Sequence, residues 1–278
     1  MRAEPAGGLM SLGLLYAKAV ATAVGPRSST LPDTVLRRSV AIDRAHLAAY
    51  DRVCGFRFGD TLPVPYLHVL GFAQQVELMA SRSFPFALPG LVHVRNRITA
   101  HRPVDAAETL AISVHAERLR SHPKGAQVDL VTAVDAAGER VFDGRSTYFA
   151  RGASAPDEEP DEPGPQPFDD GPPAATWRVD AGTGRRYAGV SGDVNPIHLS
   201  PLAAKAFGFP RAIAHGMWTA AHALASLDGR LPEALTWDVE FAKPLLLPST
   251  VELRTKRLGD GWALDVRSGV PHLASTVR

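Results

Sequence analysis

The sequence has little cysteine and almost no net charge. Its single cysteine, Cys54, has no partner for an internal disulfide bond, and no Cys/His cluster has the spacing of a zinc site. The 30 basic and 29 acidic side chains leave a formal charge of +1, and no Lys/Arg-rich run forms an interface for nucleic acid. We therefore expect a cytoplasmic protein with a metal-free mechanism and no nucleic-acid partner.

One mostly apolar segment runs from Leu9 to Val24. It is interrupted by Lys18 and is shorter than the roughly 20 apolar residues that a helix needs to span a bilayer. The pattern favours a packed or surface amphipathic helix. A targeting segment is the alternative, because Ala21-Thr22-Ala23 resembles a small-residue cleavage site. Neither interpretation predicts a membrane span.

A change of composition divides the chain into two arms. Hydrophobic residues make up 45% of the sequence, as in globular proteins, but residues 151–173 are dominated by proline, glycine and acidic side chains. Such a stretch buries too little apolar surface to order itself and is typical of an extended spacer. We predict a first domain at 1–150 with an N-terminal helical extension, a linker at 151–173 and a second domain at 174–278.

The two arms repeat one pattern, which indicates a duplication. In the second arm, Gly216–Leu227 is rich in helix-forming residues and is followed by strand-like runs separated by turn signals. One helix followed by antiparallel strands is an α+β plan, so we predict a double hotdog fold in which each central helix is wrapped by an antiparallel sheet. The sequence alignment of the arms pairs His68 with His215, Val92 with Trp237 and Thr109 with Thr250. The predicted strands are Gly90–Ala100, Leu110–Leu119, Gln127–Val134, Gly144–Arg151, Thr236–Phe241, Val251–Leu258, Trp262–Val266 and Leu273–Arg278.

The densest group of chemically active residues lies between Asp193 and His198. Gly192 and Pro196 predict an irregular loop, so these polar groups need not share one helix face. A carboxylate and an imidazole that converge on one water would supply acid/base catalysis near neutral pH. The segment therefore predicts an active site that handles a water molecule.

Gly216 adds a second element to this site. It stands at the predicted start of a helix, where backbone N–H groups lack acceptors and the helix dipole is positive. Because glycine has no side chain, a thioester carbonyl can approach its N–H closely. Loss of one such donor typically costs about 3–4 kcal/mol of transition-state stabilisation.

At these residues the chain resembles the MaoC-like dehydratase family, also known as the (R)-specific enoyl-CoA hydratases. The resemblance is carried by Tyr187–His198, by Phe207-Gly-Phe-Pro and by Ile213–Met217. The strand pattern extends it over the second arm, and tandem-hotdog members of the family look similar over most of the chain. Many family motifs have Asp two positions after the histidine, where this chain has Ser200.

The resemblance implies reversible hydration of a trans-2-enoyl thioester to a (3R)-3-hydroxyacyl thioester. It implies that Asp193 and His198 activate the water and that Asn195 positions the pair or the water. Gly216 would donate to the thioester oxygen, with no metal or redox cofactor. The first arm has no Asp-x-Asn-Pro-x-His motif, so the resemblance implies one active site per chain and a silent first half that makes room for a bulky acyl chain.

Four further residues are candidate substrate-binding groups: Ser191, His215, Arg211 and Lys205. Ser191 also fits a cap or loop role, and His215 also fits a role in supporting the loop. Arg211 and Lys205 are candidates for the phosphates of coenzyme A or of a carrier-protein arm, although scattered surface charges are common on any protein. Asp193 has a purely structural alternative, because Gly-Asp is common in turns.

Two other function classes stay open. A hotdog thioesterase also activates water and polarises a carbonyl, although its carboxylate usually lies on or near the central helix, and Met217–Leu227 contains none. A non-catalytic partner that binds acyl thioesters is the third interpretation, and the presence of both Asp193 and His198 argues against it. Internal pairing of two hotdogs would allow a monomer, and a homodimer is the alternative.

Overall fold

The computed structural model describes residues 15–16, 25–156 and 163–278. In this part of the chain, ten strands form one antiparallel sheet in the order β1-β3-β4-β5-β2-β7-β10-β9-β8-β6. The α+β double hotdog predicted from the sequence is confirmed. The strands are β1 (Leu36–Ala41), β2 (Leu91–Ala100), β3 (Thr109–His122), β4 (Gly125–Ala136), β5 (Glu139–Arg151), β6 (Ala175–Val179), β7 (Leu235–Phe241), β8 (Ser249–Leu258), β9 (Gly261–Arg267) and β10 (Pro271–Val277).

Each half of the sheet packs against one apolar central helix, α2 in the first half and α6 in the second. Both helices are buried almost all round, because the curved sheet covers one side and other helices cover the rest. The sequence pattern did not predict the shorter helices before them or the edge strands β1 and β6. The helices are α1 (Arg44–Cys54), α2 (Val64–Ala80), α3 (Thr183–Ser191), α4 (Pro196–Leu199), α5 (Pro201–Ala206) and α6 (Gly216–Ala225).

The two halves join through β2 and β7, which pair antiparallel at the centre of the sheet. Arg95 on β2 forms a bidentate ion pair with Asp238 on β7, with Nη2–Oδ2 at 2.6 Å and Nε–Oδ1 at 3.0 Å. The chain therefore forms the internal pseudo-dimer that was expected of two hotdogs in one polypeptide.

Equivalent hydrogen bonds show how the halves correspond. The N–H of Leu62 donates to Val104 just before α2, and the N–H of Ala214 donates to Leu245 just before α6, both at 2.8 Å. This correspondence places Pro63, the residue before α2, opposite His215, the residue before α6. The pairing of His68 with His215 was therefore wrong, because α2 begins earlier than its apolar pattern suggested.

The same correspondence shows which segment of the second half has no counterpart in the first half. Helices α1 and α3 both end at a left-handed glycine, Gly55 and Gly192 respectively. Phe56 follows the first glycine and Asp193 follows the second. The first half then reaches α2 over the short stretch 56–63, whereas the second half carries α4 and α5 in this place.

The described part of the linker lies along the outer face of the second half. Asp170 pairs with Lys256 on β8 at 2.9 Å, and Asp169 pairs with Arg267 on β9 at 3.0 Å. The N–H of Phe168 donates to the Asp265 carboxylate at 3.3 Å. The acidic residues of this stretch therefore attach it to basic residues of the sheet.

Most of the apolar N-terminal segment, 9–24, lies outside the described residues, which include only Leu15 and Tyr16 of it. The expected amphipathic helix and the alternative targeting segment both stay predictions. Among the described residues, no helix combines the length and the apolar character needed to cross a membrane.

Candidate active site

The turn after α3 holds Asp193 in place. Helix α3 ends at Gly192, which has a φ of 72° in the left-handed region that glycine adopts without strain. The Asp193 N–H donates to Ser191 Oγ at 3.1 Å, and the Asn195 N–H donates to Asp193 Oδ1 at 3.2 Å. These contacts fix the turn and place the carboxylate on the cavity wall, so the turn role of Asp193 is compatible with the predicted functional role.

His198 is held by the backbone on both sides. Asn195 caps the short helix α4, since its side chain accepts from the Ile197 N–H, and His198 lies in that helix. The Nδ1 of His198 lies 2.9 Å from the Ile213 carbonyl and donates to it, which leaves Nε2 as the basic nitrogen. Gly184 of α3 lies directly behind, where a Cβ would be only 2.1 Å from the His198 carbonyl oxygen.

His215 joins Asp193 and His198 in one buried cluster. Its Nε2 lies 2.9 Å from the Asp193 carbonyl oxygen, and its ring stacks on that of His198 with centroids 3.7 Å apart. Its Nδ1 is buried and has no hydrogen-bond partner among the described residues. His215 therefore orders the loop and the second imidazole through Nε2 and its ring face.

The surroundings set the charge of each group. Burial alone raises the pKa of Asp193, but the neighbouring His215 and His198, the Tyr16 hydroxyl and the Asn195 N–H together hold it below its ordinary value. Burial lowers the pKa of His198, and the nearby Asp193 carboxylate offsets only part of this effect. Burial also lowers the pKa of His215 to about 3. At neutral pH the cluster therefore holds one carboxylate and two neutral imidazoles.

Gly216 begins α6 on the wall of the same cavity. His215 stands at the N-cap position without a side-chain capping bond, so the first N–H groups of α6 are available as donors. A Cβ on Gly216 would lie 2.9 Å from the ring of Phe241, which leaves no room for a larger residue. The geometry therefore places backbone N–H donors on the same cavity as Asp193 and His198, as the predicted oxyanion site requires.

A cavity of about 540 Å³ connects these groups, and both halves of the chain line it. Asp193, Asn195, His198 and Gly216 line it from the second half. The first half supplies an apolar part of its wall from α2, β2 and the segment between them: Val69, Phe72, Met79, Leu88 and Leu91. Such a space fits an acyl chain that extends from the catalytic groups into the silent half.

The sequence did not predict a role for Tyr16. Its hydroxyl donates to Asp193 Oδ1 at 2.8 Å, and Tyr16 lines the cavity. Burial and the adjacent carboxylate raise the pKa of Tyr16 well above its ordinary value, so the hydroxyl stays protonated. Because Tyr16 lies in an apolar segment far from the motif in sequence, no local pattern indicates this contact.

The predicted basic residues lie away from the cavity. Lys205 is exposed on α5, and Arg211 is exposed and donates to the Pro248 carbonyl at 3.2 Å. Neither lines the cavity, whereas the exposed Arg151 and Lys243 do. The latter two cations are closer candidates for the phosphate groups of a bound carrier arm.

The cluster also has the donor types of a metal site. One ligand atom each of Asp193, His198 and His215 lie within 4.8 Å of one another. One nitrogen of each imidazole is committed to a backbone carbonyl, which leaves one nitrogen of each ring for another partner. Hydration of an activated alkene requires no change of oxidation state, and the carboxylate and imidazole already supply the acid/base groups, so a metal-free site stays the prediction.

Comparison with known proteins finds similarity to dehydratases and hydratases, in one relative over nearly the whole chain. The MaoC like domain family matches residues 154–271. The chain is 42% identical over 269 residues to 3-hydroxyacyl-thioester dehydratase X of Mycobacterium tuberculosis (strain ATCC 25618 / H37Rv), covering 95% of this chain and 96% of that protein. It is 30% identical over 151 residues to the peroxisomal enoyl-CoA hydratase 2 of Arabidopsis thaliana, covering 49% and 48%.

The fold has a counterpart among solved structures. The crystal structure of HtdX from Mycobacterium tuberculosis superposes with a TM-score of 0.79 at 39% sequence identity, covering 88% of this chain and 99% of that one. The agreement includes the silent first half, which the match to the MaoC like domain does not reach.

Proposed function

This chain belongs to the MaoC-like family of dehydratases and hydratases and is therefore a hydro-lyase, and we propose that it interconverts trans-2-enoyl and (3R)-3-hydroxyacyl thioesters through Asp193 and His198. The observation that carries the proposal is that Asp193, His198 and Gly216 line one cavity. The (3R) configuration of the product is the one that the family resemblance implies.

The acid/base pair acts on the water. The Asp193 carboxylate and Nε2 of His198 are both unprotonated at neutral pH and accept hydrogen bonds from one water molecule. In hydration, the water oxygen bonds to C3 of the substrate, and the pair takes up the proton that this oxygen loses. The pair then delivers this proton to C2 while the enolate returns to the thioester carbonyl, which completes the addition, and dehydration follows the same steps in reverse.

Gly216 acts on the other end of the reacting group. Attack at C3 moves negative charge onto the thioester oxygen, which an N–H at the start of α6 stabilises together with the helix dipole. Asn195 and His215 hold the acid/base pair, and Ser191 holds the Asp193 turn, so we assign them positioning roles. The overall addition of water is redox-neutral, which supports the expectation that no redox cofactor takes part.

The thioesterase alternative lacks its usual carboxylate. Helix α6 (Gly216–Ala225) contains no Asp or Glu, and the carboxylate of the cavity cluster comes instead from the loop before α4. A loop carboxylate paired with a histidine suits addition of water to the double bond. The acyl group arrives on coenzyme A or on an acyl carrier protein, and Arg151 and Lys243 at the cavity are placed to meet the phosphate of either.

The test is hydration of trans-2-enoyl-CoA esters, followed as loss of enone absorbance. We expect turnover by the wild type and a fall of about 10²-fold or more in kcat for Asp193→Asn and for His198→Gln. His101 and Asp143 form a matched but exposed pair in the first half, with Nε2–Oδ2 at 2.7 Å. The variants His101→Gln and Asp143→Asn should therefore keep wild-type rates.

Other outcomes would redirect the assignment. Release of free coenzyme A without loss of the double bond would support the thioesterase instead. Full activity in Asp193→Asn would overturn the proposed acid/base pair. If coenzyme A esters are inert, the same assay with carrier-protein thioesters tests whether the acyl group must be attached to a carrier protein. Chiral analysis of the product determines the configuration at C3.

A further inference from the structure

The silent half contributes a buried polar network to the wall of the acyl cavity. Asn96 on β2 is fully buried, and its Nδ2 lies 3.0 Å from Ser146 Oγ, 3.3 Å from His93 Nε2 and 3.5 Å from His68 Nδ1. The Tyr148 hydroxyl, nearby in the same wall, donates to a buried glutamine of α2 at 3.1 Å. We would not expect such groups in a wall that contacts only a hydrocarbon chain, because burying polar atoms costs free energy.

His68 presents the free end of this network. It is 3% exposed and lines the cavity, and Nδ1 faces Asn96. Its Nε2 has no hydrogen-bond partner among the described residues. Since Nδ1 faces the NH2 group of Asn96, where a second N–H would oppose it, the proton of the neutral ring is assigned to Nε2. A buried donor is thus available on the cavity wall.

The ring lines the same cavity as the catalytic loop. The charge of Asp193 is near enough to oppose the lowering of the His68 pKa and of the His93 pKa. His93 forms part of the same wall and stacks on Tyr148 at 4.8 Å and beside His68 at 5.9 Å. The donor therefore lies near the part of the acyl chain that follows the reacting carbons.

Charge restricts what this wall can bind. Burial lowers the pKa of His68 to about 4 and, together with the neighbouring His68, that of His93 to about 3. Both rings are therefore neutral at physiological pH and offer no counter-charge to a carboxylate or a phosphate. The complementary group is a neutral oxygen, such as a hydroxyl or a carbonyl.

We propose that this enzyme selects acyl thioesters that carry a hydroxyl or carbonyl oxygen on the chain beyond C3, and that His68 is the specificity-determining residue that donates to this oxygen. The proposal rests on the proposed hydratase function and names its substrate class. Beyond this oxygen the chain meets Phe72, Met79 and Leu88, so the rest of it is apolar. An unsubstituted chain leaves the buried donor without a partner, and sites that bond a substrate oxygen discriminate against analogues that lack it.

The test compares trans-2-octenoyl-CoA with the same ester bearing a single hydroxyl at C5, C6 or C7. We expect wild-type kcat/KM to be about tenfold or more higher for one of the hydroxylated esters. His68→Leu should remove this preference, because it removes the donor. His68→Gln should restore part of it through the side-chain amide. Phe72→Leu, one turn along α2, should change the rates for all esters but leave their ratio unchanged.

The possible outcomes distinguish the specificity proposal from the hydratase proposal. Equal or better turnover of the plain ester by the wild type would overturn the specificity inference and leave the hydratase assignment intact. A preference that survives in His68→Leu would transfer the role to another group. Failure of the wild type to hydrate any of these esters or their carrier-protein counterparts would overturn the proposed function itself. The wild-type ratio decides the inference even if a variant does not fold.

Discussion

Gly184 is the residue whose substitution tests the architecture of the site most directly. It lies on α3, outside the catalytic motif, and its backbone packs against the carbonyl of His198. In Gly184→Ala, the new Cβ would lie 2.1 Å from that oxygen, whereas ordinary contacts begin at 3.4 Å. The loop that carries His198 would therefore have to retreat by about 1 Å, and a shift of this size can cost about 10² in rate.

The expected losses of stability and of activity differ in size. Alanine is favoured over glycine inside a helix by about 1 kcal/mol, which partly offsets an overpacking cost of about 1–3 kcal/mol. The net change in the free energy of unfolding at Gly184 is therefore small, at about 0–2 kcal/mol. The loss of kcat should be far larger than this stability change suggests, because it follows the position of His198.

Gly189 provides the matched control on the same helix. It is exposed, and a Cβ there would meet nothing within 4 Å. Gly189→Ala should keep wild-type kcat and raise the thermal midpoint slightly through helix propensity. Enoyl-CoA hydration and thermal unfolding of both variants make the comparison. A folded Gly184→Ala with kcat within about twofold of wild type would refute the claim that this contact sets the position of His198.

Two further predictions concern the reaction itself. Gly216→Ala should lower kcat/KM by about 10²-fold or more, because the added methyl collides with the Phe241 ring and the carbonyl moves away from the donor; unchanged kinetics would rule out an oxyanion site there. Protonation of His198 removes the basic nitrogen, and burial lowers the pKa of this group, so the rate should fall with decreasing pH only below its ordinary value of about 6.5. A half-point above this value in the pH profile of kcat/KM would contradict the assignment.

The sequence predicted the fold class and the central chemistry because both depend on local patterns. Periodicity and turn residues located the two central helices and eight strands, and the Asp193–His198 motif spans only six consecutive residues, although His198 lies in the short helix α4 and not in the irregular loop that was predicted. The edge strand β6 was missed because it is only Ala175–Val179, too short to show a period. The misalignment of His68 with His215 arose because the apolar residues of a helix do not indicate at which residue the helix begins.

Contacts between distant segments could not be predicted in the same way. The approach of Gly184 to His198 depends on how two helices pack, and the Tyr16–Asp193 hydrogen bond joins residues 177 positions apart in the chain. The polar wall around His68 was equally hidden, because each of its residues alone fits an ordinary buried position. Their common position on one cavity follows from strand register, which a single sequence specifies only weakly.

The pairing of β2 with β7 makes the linker more than a spacer. Each half, if separated, would expose one long unpaired edge strand from the centre of the sheet, the feature by which sheet proteins associate with copies of themselves. The tether keeps the correct partner at a high effective concentration, so this edge is closed intramolecularly before another chain reaches it. Because both halves belong to one polypeptide, two different hotdogs always pair with each other. Two separate, identical hotdog chains would instead form a symmetric dimer with two identical sites.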